Sequence, residues 1–164
     1  MLVSLKRFVL NKCLDLLPSR CFGYRRFILR MMGIKVEKSA KINSGFRVYG
    51  PGSIEIGEYV WIGQNCRIYT AGFSKVKIGE NCEIGPETAF NCQSHIAGEA
   101  NHRAGSCVIH DIELGKGIWC GMGVLILCSK IGGGTIIGAG SVVLKDIPDN
   151  VLAAGVPAEI KRKL

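Results

Sequence analysis

Aromatic residues and long apolar runs are both scarce in this sequence of 164 residues. Only 7% of the residues are Phe, Trp or Tyr, whereas 22 are glycine. Aliphatic side chains packed close to the backbone must therefore fill the interior, which favours a repetitive β architecture. No stretch approaches the ~20 apolar residues that a membrane span requires. With 48% hydrophobic and 21% charged residues, the composition predicts one globular domain.

The eight cysteines lack the spacing of a metal site or a redox motif. No CxxC pair occurs, and the first residues lack the apolar core and small-residue cleavage site of a signal peptide. We therefore expect reduced thiols in a cytoplasmic protein. Cys66 and Cys82 should pack as small hydrophobic residues. Cys92 and Cys107 are not favoured as nucleophiles, because nothing near them indicates an activated thiolate.

The positive charge is confined to the N-terminal segment. Residues 1–41 contain ten Lys and Arg against Asp15 and Glu37, a net charge of +8, whereas residues 42–164 contain eleven basic and eleven acidic residues. A chain that binds nucleic acid would carry a broad cationic face. The distribution therefore predicts no nucleic-acid partner.

A six-residue repeat runs through the middle of the chain. Aliphatic residues recur at every sixth position, glycine often follows, and a small or β-branched residue comes four positions later. The predicted inward-facing anchors form five groups of three: Val36, Ile42, Val48; Ile56, Ile62, Ile68; Ile78, Ile84, Phe90; Leu114, Cys120, Ile126; Ile131, Ile137, Val143.

The spacing of these groups predicts a three-sided parallel β-helix of about five coils over residues 36–145. The step within each group is always six, and every irregular step follows the third anchor. All insertions should therefore leave from one edge, including an extruded loop at 96–113. Each short strand should stack on the equivalent strand of the next coil, so that the anchors form continuous ladders.

Two segments lie outside this repeat. Residues 1–35 predict a cap of two amphipathic helices broken at Pro18, with apolar stripes of helical spacing in residues 1–32: Leu2, Leu5, Val9, Leu16; Tyr24, Phe27, Ile28, Met31. Two interpretations remain open: the stripes cover the core of the first coil, or the basic helices also contact an anionic membrane, such as the inner membrane face. Residues 146–164 predict a Pro/Gly-rich turn and a short basic tail.

His95 is the strongest candidate for chemistry. It directly precedes the loop 96–113, so that the regular prism should hold its backbone beneath a mobile cover. Imidazole can accept a proton from a substrate hydroxyl near neutral pH. His102 and His110 lie in the loop, at spacings that match no compact zinc motif, so we predict no metal site.

The later repeats resemble the hexapeptide-repeat acyltransferases. The motifs that carry the likeness are IGAGSVVLKDIP at 137–148 and AGVPA at 154–158, preceded by His95 and the WCG turn at 119–121. The likeness spans roughly residues 36–163 and is greatest to sugar O-acetyltransferases of the galactoside/maltose type, including those that modify bacterial polysaccharides. It implies a left-handed coil and a homotrimer with active sites between neighbouring prisms.

The same resemblance implies roles for individual residues. His95 would be the general base that activates a sugar hydroxyl for direct attack on acetyl-CoA, while main-chain amides stabilise the oxyanion. Trp119 would lie beside the substrate cleft. Positions that match the coenzyme A site are Met122 (through its main chain), Ala139, Leu144, Lys145 and Arg162.

Some positions depart from the family pattern. Leu144 stands where threonine is frequent, and Glu159 stands where a basic residue often meets coenzyme A. Ser94 replaces the acidic residue that commonly precedes the base in serine acetyltransferases. Glu87 and Asp111 are the candidate carboxylates for orienting His95.

The sequence leaves three other functions open. The chain could acetylate an amine on an amino sugar or small molecule, because an amine also needs deprotonation by a base. It could be a non-catalytic trimeric scaffold. It could also be a zinc-dependent hydratase on the same fold.

Overall fold

The computed structural model describes residues 2–164, without the side chains of Leu2 and Ser4. Met1, with which the predicted cap begins, and the side chain of Leu2, which the first apolar stripe includes, lie outside what is described. In chain order the elements are α1 (Leu2–Cys13), α2 (Phe22–Met31), β1 (Lys35–Val36), β2 (Lys41–Ile42), β3 (Arg47–Tyr49), β4 (Ser53–Ile56), β5 (Trp61–Ile62), β6 (Arg67–Tyr69), β7 (Lys75–Ile78), β8 (Glu83–Ile84), β9 (Ala89–Asn91), β10 (Gln93–Ala97), β11 (Ala104–Ile109), β12 (Ile112–Leu114), β13 (Trp119–Cys120), β14 (Leu125–Ile126), β15 (Lys130–Ile131), β16 (Ile136–Ile137), β17 (Val142–Val143), β18 (Val151–Ala154) and β19 (Glu159–Lys163).

Three parallel walls form a prism. Wall 1 has the order β1-β4-β7-β12-β15, and wall 3 has the order β3-β6-β9-β14-β17. Wall 2 has the parallel order β2-β5-β8-β13-β16-β18, to which β19 adds as an antiparallel edge strand. The chain visits walls 1, 2 and 3 in turn, so each strand is hydrogen-bonded to the equivalent strand of the next coil. The predicted parallel β-helix is confirmed.

The predicted anchors form the inner ladders of this prism. In wall 2, for example, Ile42 pairs with Ile62, Ile62 with Ile84, Ile84 with Cys120 and Cys120 with Ile137. All the predicted anchors are 6% exposed or less. Because burial of one aliphatic side chain contributes about 1.5–3 kcal/mol, these ladders account for much of the stability.

Polar side chains on the helices cap the open end of the first coil. The Asn11 side chain donates to Val48 O at 2.8 Å and accepts from Val48 N at 3.1 Å, which satisfies the free edge of β3. Arg26 donates to Ala40 O and Arg30 to Val36 O, both at 2.8 Å. Arg7 donates to the carbonyls that follow β3. The helices thus supply hydrogen bonds that a further coil would otherwise make.

The helices lie where predicted, but α1 turns the opposite face to the prism. Its buried residues are Arg7, Leu10, Asn11 and Leu14. Leu5 and Val9 of the predicted core-facing stripe are 62% and 52% exposed. The prediction that this stripe covers the core was wrong, because the edge of β3 requires polar partners. Within residues 2–164, neither helix is long and apolar enough to span a bilayer.

The insertion after β9, predicted as an extruded loop, is a β-hairpin. Strands β10 and β11 pair in antiparallel register and form a separate two-stranded sheet. Residues 112–114 belong to wall 1, where Ile112 pairs with Val76. The excursion therefore occupies 93–111 rather than 96–113, and it leaves from the corner between walls 3 and 1, as the spacing predicts.

The prism continues beyond the predicted boundary at residue 145. Ile147 forms a parallel bridge to Ile131 in wall 1, and β18 pairs with β16 in wall 2. The final residues then turn back as β19, antiparallel to β18. The segment 146–164 is thus a further partial coil and a hairpin rather than a turn and tail.

Candidate active site

His95 lies on the hairpin and not on a prism wall. It sits in β10, opposite Cys107 of β11, and its side chain is exposed. Ser94, four residues after the anchor Phe90 and thus at the small-residue position of the repeat, is also exposed and pairs with Val108. The prediction that the prism itself holds the backbone of His95 was therefore wrong, because the hairpin begins at Gln93.

A backbone carbonyl of the opposite strand orients the His95 ring. His95 Nδ1 lies 2.9 Å from Gly105 O. Because a carbonyl oxygen can only accept, Nδ1 must carry the proton in this contact. The lone pair of neutral His95 is then on Nε2, the nitrogen that can accept a proton from a substrate.

Neither candidate carboxylate takes this orienting role. Asp111 Oδ1 accepts from the backbone N–H of Lys75 at 2.7 Å. Glu87 occupies the turn between β8 and β9 with a φ of 61°, at the other end of wall 3 from the hairpin. The orienting group is the Gly105 carbonyl, which carries no net charge.

Gly105 is a site residue that the sequence interpretation missed. A Cβ placed there would lie 2.8 Å from Ile96 O and 3.1 Å from Gly98 Cα, which are both backbone atoms on the facing side of the hairpin. The two strands approach closely here because both facing positions are glycine. A glycine pair that brackets a short polar segment, as Gly98 and Gly105 do, indicates a tight hairpin and could have suggested this contact.

The other two histidines do not join His95. His102 is exposed in the hairpin turn, where its backbone N–H donates to Glu99 O at 2.9 Å. His110 lies at the hairpin base, where its backbone N–H donates to Cys92 O at 3.0 Å. Within residues 2–164, no group of three His, Cys, Asp or Glu side chains is arranged to hold a metal ion.

Three of the resemblance-derived residues lie on or beside the corner between walls 2 and 3. Trp119 faces outward from β13 and is 56% exposed. Met122 follows at the corner, and Gly140 N donates to its carbonyl at 2.8 Å from the next coil. Ala139 directly precedes Gly140, so Met122 and Ala139 belong to adjacent levels of one corner.

Two glycines leave the backbone of this corner uncovered. Gly123 and Gly140 have φ values of 70° and 68°, and a Cβ added to either would meet no atom within 4 Å. Two residues before Gly123, Gly121 lies so close to the next coil that an added Cβ would be 2.6 Å from Ala139 N. The corner therefore presents tightly stacked and accessible backbone.

The remaining predicted residues lie elsewhere on the last coil. Leu144 and Lys145 follow β17 at the corner between walls 3 and 1, from which the hairpin also leaves two levels earlier. Arg162 is on β19, opposite Leu152. All three side chains are exposed.

One chain does not bring all of these groups together. His95 projects from the 3–1 corner, whereas Met122 and Ala139 lie on the 2–3 corner, across a wall about four residues or roughly 13 Å wide. The hairpin is not hydrogen-bonded to wall 3 as an added strand. A cleft that contains both groups therefore needs a second surface.

Five of the cysteines are unsuited to act as nucleophiles. Cys66, Cys82, Cys92, Cys120 and Cys128 are buried, which confirms the packing role expected for Cys66 and Cys82. Burial raises the pKa of Cys66 and of Cys128 to about 11. These thiols stay protonated at neutral pH and act as small core residues.

Comparison with known proteins identifies the family. No protein-family profile matches the chain. The protein named colanic acid biosynthesis acetyltransferase WcaF of Escherichia coli (strain K12) is 30% identical over 149 residues, which cover 89% of this chain and 78% of that protein. The chain belongs to the hexapeptide-repeat acyltransferases. This acyltransferase is also 32% identical to the galactoside O-acetyltransferase of Escherichia coli (strain K12) over 136 residues, 78% of this chain and 66% of that one.

A solved relative supports the fold of this acyltransferase over nearly its whole length. The structure of a galactoside acetyltransferase in complex with coenzyme A superposes with a TM-score of 0.77 and 26% identity, covering 98% of this chain and 80% of that one. The family resemblance and the left-handed parallel β-helix are thereby confirmed. The protein is an acetyltransferase.

Proposed function

We propose that this protein transfers the acetyl group of acetyl-CoA to a sugar hydroxyl, with His95 as the general base. The observation that carries the proposal is the contact of His95 Nδ1 with Gly105 O at 2.9 Å. It leaves Nε2 as the proton acceptor on an exposed hairpin. Relatives named for galactoside and colanic acid acetylation support a sugar acceptor.

The reaction proceeds by direct transfer. His95 Nε2 accepts the hydroxyl proton as the oxygen attacks the thioester carbonyl, which forms a tetrahedral oxyanion. Main-chain N–H groups stabilise this charge. The intermediate then expels the coenzyme A thiolate, which takes the proton from the imidazolium. The products are the acetyl ester and free coenzyme A, and His95 returns to its starting state.

The last coils have the properties that coenzyme A requires. The bare backbone at Gly123 and Gly140 lets a narrow pantetheine arm approach closely, and the exposed Met122 and Ala139 flank it. Lys145 and Arg162 are exposed and make no ion pair within the described residues, so they are available for phosphate groups. A relative solved with bound coenzyme A supports this ligand. The bound thioester supplies the activated acetyl group.

We further propose a homotrimer in which neighbouring prisms complete each site. The proposal follows from the separation of His95 and the Met122 corner on opposite edges of wall 3. A neighbouring prism would present its own 2–3 corner to the hairpin. Sedimentation velocity of the purified protein tests this: a trimer is expected, whereas a fully active monomer would contradict it.

The decisive experiment measures free thiol release from acetyl-CoA across a panel of sugar acceptors. His95→Ala should lower kcat by about 10²–10⁴-fold, the usual contribution of a general base. His102→Ala, on the same hairpin, is the matched control and should retain turnover. Undiminished turnover in His95→Ala would refute the assigned base, and no thiol release by the wild type with any acceptor would favour a scaffold.

Product analysis separates oxygen from nitrogen acetylation. An amino sugar can yield either an ester or an amide, and only the ester is cleaved by mild alkali. We expect an alkali-labile acetyl group, seen as a loss of the added mass after base treatment. An alkali-stable product formed only with amino sugars would replace the proposal with N-acetylation. We also propose that the acceptor belongs to a surface polysaccharide, because a relative is named for colanic acid biosynthesis. A panel that includes polysaccharide repeat units tests this role.

A further inference from the structure

The outer face of α1 is apolar and is not covered by any other described residue. Leu5, Phe8 and Val9 are 62%, 62% and 52% exposed. Their spacing of three and four residues places them on one side of the helix. The opposite side uses Arg7 and Asn11 to bind the backbone of the first coil. The helix is therefore amphipathic with its apolar side outward.

The second helix extends this apolar face. Val3, Leu5, Lys6, Val9, Leu10 and Met31 line a shallow groove of about 590 Å³ between α1 and α2. Val3 and Met31 are 46% and 42% exposed. We call Val3, Leu5, Phe8, Val9 and Met31 the cap patch. Contiguous exposed apolar surface of this kind marks an interaction site more often than scattered apolar residues do.

The charged residues of the two cap helices are all basic, because neither α1 nor α2 contains an acidic residue. Asp15, which follows α1, is paired with Arg47 at 2.6 Å. Lys6 and Lys12 are exposed on α1 and form no ion pair within the described part of the chain. Arg7, Arg26 and Arg30, by contrast, donate to backbone carbonyls. On α1 the available cations are therefore the two lysines beside the patch, whose long side chains can reach past an apolar surface.

This charge pattern decides between two occupants of the patch. In a two-fold contact the same surface meets itself, so Lys6 and Lys12 would approach their own copies without acidic partners. An anionic phospholipid surface instead accepts the apolar residues at its acyl boundary and the lysines at its headgroups. We propose that the cap patch docks this protein peripherally on anionic membranes, with α1 lying in the plane of the interface.

Vesicle co-sedimentation of the full chain tests the proposal independently of catalysis. Wild type should bind vesicles of equal phosphatidylglycerol and phosphatidylcholine, and binding to pure phosphatidylcholine should be at least about ten-fold weaker. The variant Leu5→Ser/Phe8→Ser/Val9→Ser should bind anionic vesicles at least about ten-fold less, since three exposed apolar side chains leave the interface. Lys6→Gln/Lys12→Gln should lose about five-fold for each lysine and become insensitive to salt.

Matched controls come from the opposite end of the prism. Val156→Ser/Ile160→Ser removes residues that are 72% and 53% exposed, and Lys130→Gln/Lys163→Gln removes two exposed lysines. Both should bind anionic vesicles as wild type does. Equal binding by the triple serine variant, or no binding by wild type, would overturn the proposal. A triple variant whose oligomer dissociates in sedimentation velocity would instead identify a second copy as the occupant.

Discussion

Replacing Gly105 with alanine tests whether the hairpin backbone holds the proposed base, His95, in position. The added Cβ would lie 2.8 Å from Ile96 O and 3.1 Å from Gly98 Cα. Normal contacts of this type are about 3.3–3.6 Å. Because both obstacles are backbone atoms, no side chain can turn aside, and the two strands must separate by roughly 0.5 Å.

This displacement acts on the contact that sets the His95 tautomer. Lengthening the 2.9 Å separation of Nδ1 and Gly105 O by about 0.5 Å would place it beyond the normal range for N–H···O. The loss of one hydrogen bond, about 1 kcal/mol, weakens the bias toward the correct tautomer by about five-fold. Misplacement of the base by a fraction of an ångström costs roughly a further ten-fold. We expect kcat to fall by about 10–50-fold.

The assay is thiol release from acetyl-CoA under saturating acceptor, with thermal unfolding measured in parallel. Ser106→Ala, at the adjacent exposed position of β11, should keep wild-type kcat. The melting temperature of Gly105→Ala should stay close to that of wild type, because the hairpin lies outside the prism core. Full activity in Gly105→Ala would refute the positioning role of the carbonyl, and a large loss of melting temperature would show that the variant acts on folding instead.

Three further predictions concern stability and thiol chemistry. Ile62→Ala should lower the free energy of unfolding in urea by about 2–5 kcal/mol, because it empties a fully buried ladder position, whereas the exposed Ile96→Ala should change it by less than about 0.5 kcal/mol. Asn11→Ala should cost about 2–4 kcal/mol in the same assay, because Val48 N and O lose their partners, and an unchanged urea midpoint would contradict the capping role. In a thiol-reagent titration at pH 8, the exposed Cys107 should react in the native protein and the five buried thiols only after guanidinium unfolding, since burial favours the protonated thiol; rapid native labelling of all eight would contradict the core assignment.

The six-residue period was sufficient to predict the prism from the sequence. Ile84 is predicted to point inward both by its own hexad and by its neighbours on the ladder, Ile62 and Cys120, which are also anchors. Because every coil repeats this pattern, a misassigned position in one coil would disagree with the equivalent positions in the coils beside it. The corner from which the hairpin leaves followed from the same count.

The site itself depends on contacts that no repeat encodes. His95 fits the end of a hexad in sequence, yet the antiparallel pairing of β10 with β11 removes it from the wall. The partner of its Nδ1 is a backbone carbonyl. Because every residue type has the same backbone carbonyl, the identity of the residue does not reveal this contact. The sequence pattern of an orienting carboxylate therefore does not predict this partner. Only the facing glycines, Gly98 and Gly105, left a signal in the sequence.

The cap shows why the helical periodicity alone does not tell which face is buried. A solenoid end exposes both an apolar core and the unpaired backbone groups of its terminal strands. Leaving those backbone groups buried without a hydrogen-bond partner is costly, at about 1–3 kcal/mol for each group. Asn11 and Arg7 meet it on α1, with Leu10 and Leu14 buried between them. The apolar stripe of Leu5 and Val9 is consequently left outside. That stripe contributes nothing to closing the prism, and the vesicle experiment tests whether an anionic membrane surface covers it.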